Sequence, residues 1–451
     1  MKKIRITIFL ATLLFNISIF AASKEIGFSK PEKQGFSSDR LSKITKFMER
    51  KVQDGTMVGG MGLIARNGRI VYQESYGMAD REAGRKMKSD DIFRIFSMTK
   101  SLTSVALMVL YEEGRFRLDD PIAWYLPEFS NLEVALSTTN TRSQSDGTFS
   151  RTIGEGDASL VGKTRKPVRQ PTIRDILTHT AGFTYGIFGN TEVDKLYMEA
   201  QLAWGDRSLE EWSKLLAKIP LQYDPGTRWH YSVSVDLQGR LVEVLSEMKF
   251  SDFLKQRLFV PLDMVDTGFV LPTESSNRLA QLYKPAGVSL SPDSLMKSTP
   301  GKGLVPASPQ ESAQYLYGSK FESGGGGLLS TSRDFLRFCQ MLLNGGALDG
   351  IRILSPKTVD LMTRNHLGDI ELARGVGFGL GFGIVVDPIE AGSVGSAGEY
   401  SWGGLAGTRF WVDPKENLIG IFMVQSVPHR TRLADDFRVL TYSAMTESQA
   451  D

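Results

Sequence analysis

The chain has 451 residues, of which 41% are hydrophobic and 23% charged, a balance typical of a folded protein rather than a disordered one. Lys and Arg number 53 against 51 Asp and Glu, and no basic block or stripe of basic and aromatic residues stands out. The composition therefore argues against a nucleic-acid partner.

The N-terminus has the pattern of a secretory signal peptide. Three basic residues precede an apolar run over residues 6–20, and small residues follow, with cleavage expected near Ala21 or Ala22. Residues 1–22 are therefore predicted to be a signal peptide, with the mature protein periplasmic or secreted. An uncleaved anchor is the weaker alternative because the run is shorter than a membrane span, so no stable span is expected after cleavage.

Cysteine usage agrees with export to a bacterial periplasm. Cys339 is the only cysteine, so no intramolecular disulfide can form, and no cysteine lies at the signal boundary to carry a lipid.

The first predicted elements are a helix and a hairpin. Hydrophobic residues recur at helical spacing from Leu41 to Val52, with Ser38 as the expected N-cap and Gly55 as the stop. Asn67-Gly68 then separates two β-rich runs, which predicts a β-hairpin.

The next predicted element is an apolar helix from Ser97 to Glu113. It is hydrophobic around most of its circumference, so we expect it to be central and buried. Residues 114–266 follow as helices and long loops. Within them, residues 137–170 are polar and rich in Gly, Ser and Thr without periodicity, which predicts a flexible insertion on the surface of a lobe.

Strand patterns return towards the C-terminus. After a helix predicted from Ser332, strand-like runs cover residues 376–386, 407–413 and 418–425, and a last helix is expected from about Arg432. Strands at both ends of a helical middle predict an α/β architecture with an inserted all-α lobe. We place the α/β domain in residues 23–115 and 325–451, and the helical lobe in residues 116–324.

Ser97 and Lys100 are the first candidate catalytic residues. They are three positions apart, so on a helix both side chains point to one face. The N–H groups at a helix N-terminus favour negative charge, which suits an alkoxide and a tetrahedral oxyanion. The ordinary alternative is that Ser97 caps the helix and Lys100 is a solvated first-turn residue.

Two further segments carry candidate residues. Tyr231 lies on a predicted loop before a helix, where its hydroxyl can serve as a general base, although a packed aromatic is the alternative. Trp402-Gly403-Gly404 opens a predicted strand. Paired glycines let a substrate approach the backbone, and the N–H after them can complete an oxyanion hole, although a β-bulge is the alternative.

The segments "FSMTK", "WHYSV" and "SWGGLAGT" occur in the order that resembles the class C β-lactamase superfamily, most closely its family VIII carboxylesterases. The resemblance extends from Gly35 to the C-terminus. It implies the fold of β-lactamases and penicillin-binding proteins, a mainly antiparallel sheet flanked by helices, with the all-α lobe inserted. It also implies a small-molecule ester or amide substrate and neither a metal nor an organic cofactor.

The same resemblance assigns roles to individual residues. Ser97 is the implied nucleophile and Lys100 its proton acceptor, with Tyr231 as partner base and later acid. Trp402-Gly403-Gly404 takes the place of Lys-Thr-Gly in β-lactamases, and the backbone N–H groups of Ser97 and Leu405 form the implied oxyanion hole.

Two departures from the β-lactamase pattern bear on the substrate. The Tyr-x-Asn motif is here Tyr231-Ser232-Val233, and Trp402 replaces the lysine that would pair with a substrate carboxylate. An uncharged ester therefore suits the site better than a penicillin. A β-lactamase or D-amino-acid peptidase and a non-catalytic, penicillin-binding-like sensor remain the alternatives.

Other signals are weaker. The phosphate-loop-like "DASLVGKT" lacks its first glycine, Gly-x-Ser-x-Gly is absent, and the four histidines do not have metal-ligand spacing.

Overall fold

The computed structural model describes residues 25–136, 162–203, 205–290, 303–309, 313–429 and 431–449. The predicted signal peptide and residues 137–161 of the predicted insertion lie outside this part of the chain.

Helices occur along the whole described chain. They are α1 Ser38–Gln53, α2 Thr99–Glu112, α3 Ile173–Leu177, α4 Glu192–Glu199, α5 Leu209–Leu216, α6 Ser234–Ser246, α7 Phe250–Leu254, α8 Ala313–Tyr317, α9 Ser332–Leu343, α10 Pro356–Met362 and α11 Leu433–Ser443.

The strands include long ones in the main sheet and short two-stranded ladders. They are β1 Gly59–Arg66, β2 Arg69–Asp80, β3 Arg85–Lys86, β4 Phe93–Arg94, β5 Val134–Ala135, β6 Thr164–Arg165, β7 Tyr283–Pro285, β8 Leu304–Pro306, β9 Leu329–Ser330, β10 Ala347–Leu348, β11 Ile351–Arg352, β12 Val376–Phe378, β13 Gly383–Val385, β14 Tyr400–Gly403, β15 Arg409–Asp413 and β16 Leu418–Val424.

Among the described residues, eight strands form one antiparallel sheet in the order β12-β13-β14-β15-β16-β1-β2-β3. Strand β1 pairs with the C-terminal β16, with Leu63 opposite Ile421. The prediction of a mainly antiparallel sheet flanked by helices is confirmed. The predicted hairpin is also confirmed: β1 and β2 meet at Asn67 and Gly68, whose positive φ values of 53° and 69° suit a tight hairpin turn.

Helices cover both faces of this sheet. On one face, α1 and α11 bury Ile44, Met48 and Phe437 against strand residues such as Trp411. On the other, α9 places Phe335 against Phe410, with ring centroids 4.9 Å apart. The hydrophobic faces of these helices therefore fix the sheet between two apolar layers.

The first turn of α1 differs from the prediction by one residue. Ser37, not Ser38, is the N-cap, and its side chain accepts the Arg40 N–H. Ser37 has an extended backbone, with φ −96° and ψ 120°, whereas Ser38 is already helical. Two adjacent serines offer the same capping chemistry, so the local sequence does not distinguish them.

Helix α2 is central, as predicted, and every residue from Thr99 to Leu110 is buried. Its α-helical part begins at Thr99 rather than at Ser97, because residues Phe96–Met98 form a 3-10 turn. The described part of the chain contains no helix with the length and hydrophobicity needed to cross a membrane.

The segment predicted as an all-α lobe, residues 116–324, also contains β-structure. Strands β5 and β6 pair, and this ladder holds residues 164–165 beside residues 134–135. Arg169 binds Asp175 at the start of α3, with 2.8 Å between Nη2 and Oδ1. Residues 162–170, the end of the predicted insertion, are thus held against β5 and the start of α3.

Candidate active site

Ser97 lies in the 3-10 turn directly before α2. The preceding residue, Phe96, has a φ of 43°, a left-handed conformation that costs a residue with a side chain about 1–3 kcal/mol. The chain leading into this turn is held by pairing of β4 with β9 and by the Ile95 N–H, which donates to the Leu328 carbonyl at 3.1 Å. The serine is therefore presented from a backbone that its surroundings constrain.

Lys100 is buried one turn further on, with 1% of its surface exposed. Its Nζ lies 3.2 Å from Ser97 Oγ, 2.9 Å from Tyr185 Oη and 2.5 Å from the Gly325 carbonyl oxygen. An ammonium group has three N–H donors, and each has an acceptor here. Lys100 is therefore not a solvated residue, and Ser97 does not cap α2, whose N-cap is Met98.

Tyr231 lies on the loop before α6 and faces Lys100. The Nζ is 4.7 Å from the centroid of the Tyr231 ring, within the range of a cation–π contact. Aromatic side chains from several loops and strands surround this ring, and they are His179, Tyr185, Phe188, Trp229 and Trp402. The tyrosine is thus held beside Lys100 by packing on most of its ring.

Tyr185 was not predicted from the sequence, although it makes the direct hydrogen bond to Lys100. Burial, followed by the charges of Asp236 and Tyr231, raises the pKa of Tyr185 well above its usual value, so its hydroxyl stays protonated. The local signal is a single aromatic residue in "FTYG", a pattern too common to identify a catalytic neighbour.

Asp236, in the first turn of α6, was also not predicted. Its Oδ1 accepts the Ser323 hydroxyl at 2.6 Å and the Gly325 N–H at 2.9 Å. Burial raises the pKa of this carboxyl, and the positive charge of Lys100 opposes that rise. No motif marks the residue, because it is distant in sequence from both groups that it binds.

The glycine run at residues 324–327 passes directly beside Lys100. A Cβ on Gly325 would lie 2.6 Å from Asp236 Oδ2 and 2.8 Å from Tyr185 Oη, closer than real contacts allow. Glycine at this position therefore lets the backbone carbonyl reach the lysine.

Trp402 lies on β14 with its ring inside the aromatic cluster. Its ring centroid is 5.7 Å from that of Tyr231 and 5.2 Å from that of Phe378, and only 7% of the residue is exposed. The position where the resemblance places the lysine of Lys-Thr-Gly is therefore filled by a buried indole.

Gly403 and Gly404 follow at the end of β14. A Cβ on Gly404 would lie 2.4 Å from the Ile95 carbonyl oxygen, so this glycine packs against the segment that leads to Ser97. The Gly404 N–H donates to Thr408 within the turn, and the Leu405 carbonyl accepts the His429 N–H at 3.3 Å. The segment with the predicted oxyanion N–H thus adjoins the residues that lead into the turn of Ser97.

Two histidines support the loop that carries Tyr231. His179 Nδ1 lies 3.1 Å from Ser232 Oγ, and the His179 carbonyl accepts the His230 N–H at 2.8 Å. Burial, then the charges of Lys100 and His230, lowers the pKa of His179 well below 6.5. In the described ranges, no group of three or more His, Cys, Asp or Glu residues is arranged to hold a metal ion.

Comparison with known proteins identifies relatives of this chain. The beta-lactamase family model matches residues 44–443. A Mycobacterium tuberculosis protein is 30% identical over 392 residues, covering 84% of this chain and 88% of its own. Esterase EstB of Burkholderia gladioli is 29% identical over 393 residues, covering 84% and 89%.

A solved structure agrees in fold. EstCE1, described as a hydrolase with promiscuous acyltransferase activity, superposes with a TM-score of 0.71 at 24% identity, covering 90% of this chain and 99% of its own.

Proposed function

The chain belongs to the beta-lactamase family and is a serine hydrolase, and from that premise we propose that it is an exported enzyme that cleaves uncharged carboxylic esters through an acyl-enzyme on Ser97. The observation that carries this proposal is the contact of Lys100 Nζ with Ser97 Oγ, 3.2 Å apart at the N-terminus of a buried helix.

The chemistry follows from the order of these groups. In this step Lys100 acts as a neutral amine: assisted by Tyr231, its Nζ takes the Oγ proton while Oγ bonds to the ester carbonyl carbon. The oxyanion binds the backbone N–H groups of Ser97 and Leu405. The proton then passes to the leaving alcohol as its bond breaks. Water, deprotonated by the same groups, next attacks the acyl-enzyme and releases the acid.

The preference for esters rests on what lines the site. Trp402 places an indole, not a cation, where an anionic antibiotic would need a charged partner. A charge-assisted hydrogen bond contributes about 1.5–3 kcal/mol, so its loss weakens the case for a β-lactam substrate. The similarity to esterase EstB supports the same preference.

The direct test is labelling with a fluorophosphonate followed by mass spectrometry. We expect one adduct on Ser97 and none in Ser97→Ala. Ser101→Ala is the matched control, because Ser101 is a buried serine on the same helix that donates to the Gly381 carbonyl; it should still label. Absence of an adduct on Ser97 in the wild type would refute the proposal.

Substrate class is tested with parallel rates on a short-chain nitrophenyl ester, a chromogenic cephalosporin and a D-alanyl-D-alanine peptide. The ester should be turned over fastest. Dominant turnover of either amide would favour the β-lactamase or peptidase alternative. Equal background rates in wild type and Ser97→Ala on all three would favour a non-catalytic sensor.

Export is tested separately by expressing the full chain in a bacterial host and measuring the mass of the periplasmic protein. We expect a mature chain that begins after residue 21 or 22. A full-length mass in the membrane fraction would instead support an uncleaved anchor.

A further inference from the structure

Asp236 is a fully buried carboxyl group that the proposed chemistry leaves without a role. It lies in the first turn of α6, with 2% of its surface exposed. Its Oδ1 accepts two hydrogen bonds, from the Ser323 hydroxyl and from the Gly325 N–H. Burying a carboxylate costs several kcal/mol unless it is compensated, so its position needs an explanation.

A single residue connects this carboxyl group to the lysine. Gly325 donates its N–H to Asp236 at 2.9 Å, and its carbonyl accepts Lys100 Nζ at 2.5 Å. The peptide groups on either side of Gly325 are therefore held by Asp236 at one end and by Lys100 at the other.

The other titratable groups around Lys100 do not supply negative charge at neutral pH. Burial lowers the pKa of His179 and raises that of Tyr185, so both are uncharged. Tyr231 presents the face of its ring to Nζ. Asp236, by contrast, is a carboxyl group whose pKa burial raises and the charge of Lys100 lowers, and as a carboxylate it can oppose the charge of an ammonium.

We propose that Asp236 is a positioning residue that orients Lys100 through Gly325 and stabilises the ammonium formed when Lys100 takes the Ser97 proton. The proposal rests on the function proposed above. In the transfer, the Oγ–H bond breaks and an Nζ–H bond forms, so that Nζ then has three N–H groups for Ser97, Tyr185 and Gly325. A third group that orients the base and stabilises its cation is the logic of serine-protease triads.

The test is the pH dependence of Ser97 labelling by a fluorophosphonate in Asp236→Asn. The asparagine can keep its oxygen on Ser323 and Gly325 while removing the charge. Without the carboxylate, the ammonium form of Lys100 loses a stabilising negative charge. We expect the rising limb of the labelling rate to move down by about one pH unit and the plateau rate to fall about tenfold or more.

Asp334→Asn is the matched control. Asp334 is also a buried carboxyl group, on α9, and accepts the Asp266 N–H at 2.8 Å. Removing the charge of Asp334 should leave the rising limb of the Ser97 labelling rate at its wild-type pH. An Asp236→Asn limb that stays at the wild-type pH, or that moves upward, overturns the proposed role.

A second measurement does not need Asp236→Asn, in case that variant fails to fold. The role requires Asp236 to be ionised at neutral pH. With aspartate labelled at Cγ with carbon-13, the NMR signal that shifts in Ser323→Ala should have the shift of a carboxylate at pH 7. A protonated carboxyl at that pH overturns the role. Failure of wild-type Ser97 to label at every pH refutes the proposed function instead.

Discussion

Substituting alanine at two neighbouring glycines separates the backbone contact of Lys100 from the general effect of adding a methyl group. At Gly325 a Cβ would lie 2.6 Å from Asp236 Oδ2. At Gly326 the nearest atom is the backbone carbon of Phe96 at 3.7 Å, an ordinary contact. Neither glycine has a left-handed φ, so alanine is conformationally acceptable at both and the difference is steric.

The expected loss of activity in Gly325→Ala follows from these distances. Ordinary contacts of a methyl carbon begin near 3.5 Å, so Gly325→Ala requires displacements of about 0.5–1 Å. Such a shift takes the 2.5 Å bond from Lys100 to the Gly325 carbonyl to the edge of hydrogen-bond range. A hydrogen bond to a charged group is worth about 1.5–3 kcal/mol, which corresponds to about a 10- to 150-fold loss in kcat/KM.

Stability provides a second readout. Overpacking costs about 1–3 kcal/mol, so Gly325→Ala should also lower the free energy of unfolding in urea. Gly326→Ala should change the free energy of unfolding, and the activation free energy that corresponds to kcat/KM, by no more than about 0.5 kcal/mol each. The assays are kcat/KM on the nitrophenyl ester and urea unfolding of both variants. Equal losses in the two variants, or full activity in Gly325→Ala, would refute the steric reasoning.

Three other expectations concern buried groups. Trp402→Lys should lose about 3 kcal/mol of stability and gain no cephalosporin turnover; turnover with intact stability would contradict this. Burial lowers the pKa of His179, so below about pH 6.5 the unfolded chain binds a proton at this histidine and the folded chain does not. The free energy of unfolding therefore falls as the pH drops below about 6.5, by up to ~1.4 kcal/mol per pH unit. His179→Gln should reduce the slope of the unfolding free energy between pH 7.5 and 5.5, and an unchanged slope would exclude His179 as its origin. Glu416→Ala leaves Arg66 buried without its 2.6 Å partner and should cost about 3–5 kcal/mol in urea unfolding, whereas the exposed Lys43→Ala should cost under about 0.5 kcal/mol; equal costs would contradict the burial argument.

Features that depend on neighbours in sequence were predictable. The spacing of Ser97 and Lys100 predicts one helical face, and in the structure their side chains meet at 3.2 Å. Asn67-Gly68 similarly predicts its hairpin, because a tight turn is specified by the two residues at its centre. The α-helix itself starts two residues later than predicted, since the left-handed Phe96 depends on the strands that hold it.

The sequence by itself determined the first hairpin, the buried central helix and the pairing of a candidate nucleophile with a lysine, because hydrophobic periodicity and short spacings encode them, whereas the antiparallel sheet was implied by the family resemblance. Only the tertiary structure decided which other groups surround that lysine. Tyr185 is 85 positions from Lys100 and Gly325 is 225 positions from it. These contacts arise where segments distant in the chain pack against α2, and the partners of a buried charge are set by that packing rather than by any local pattern.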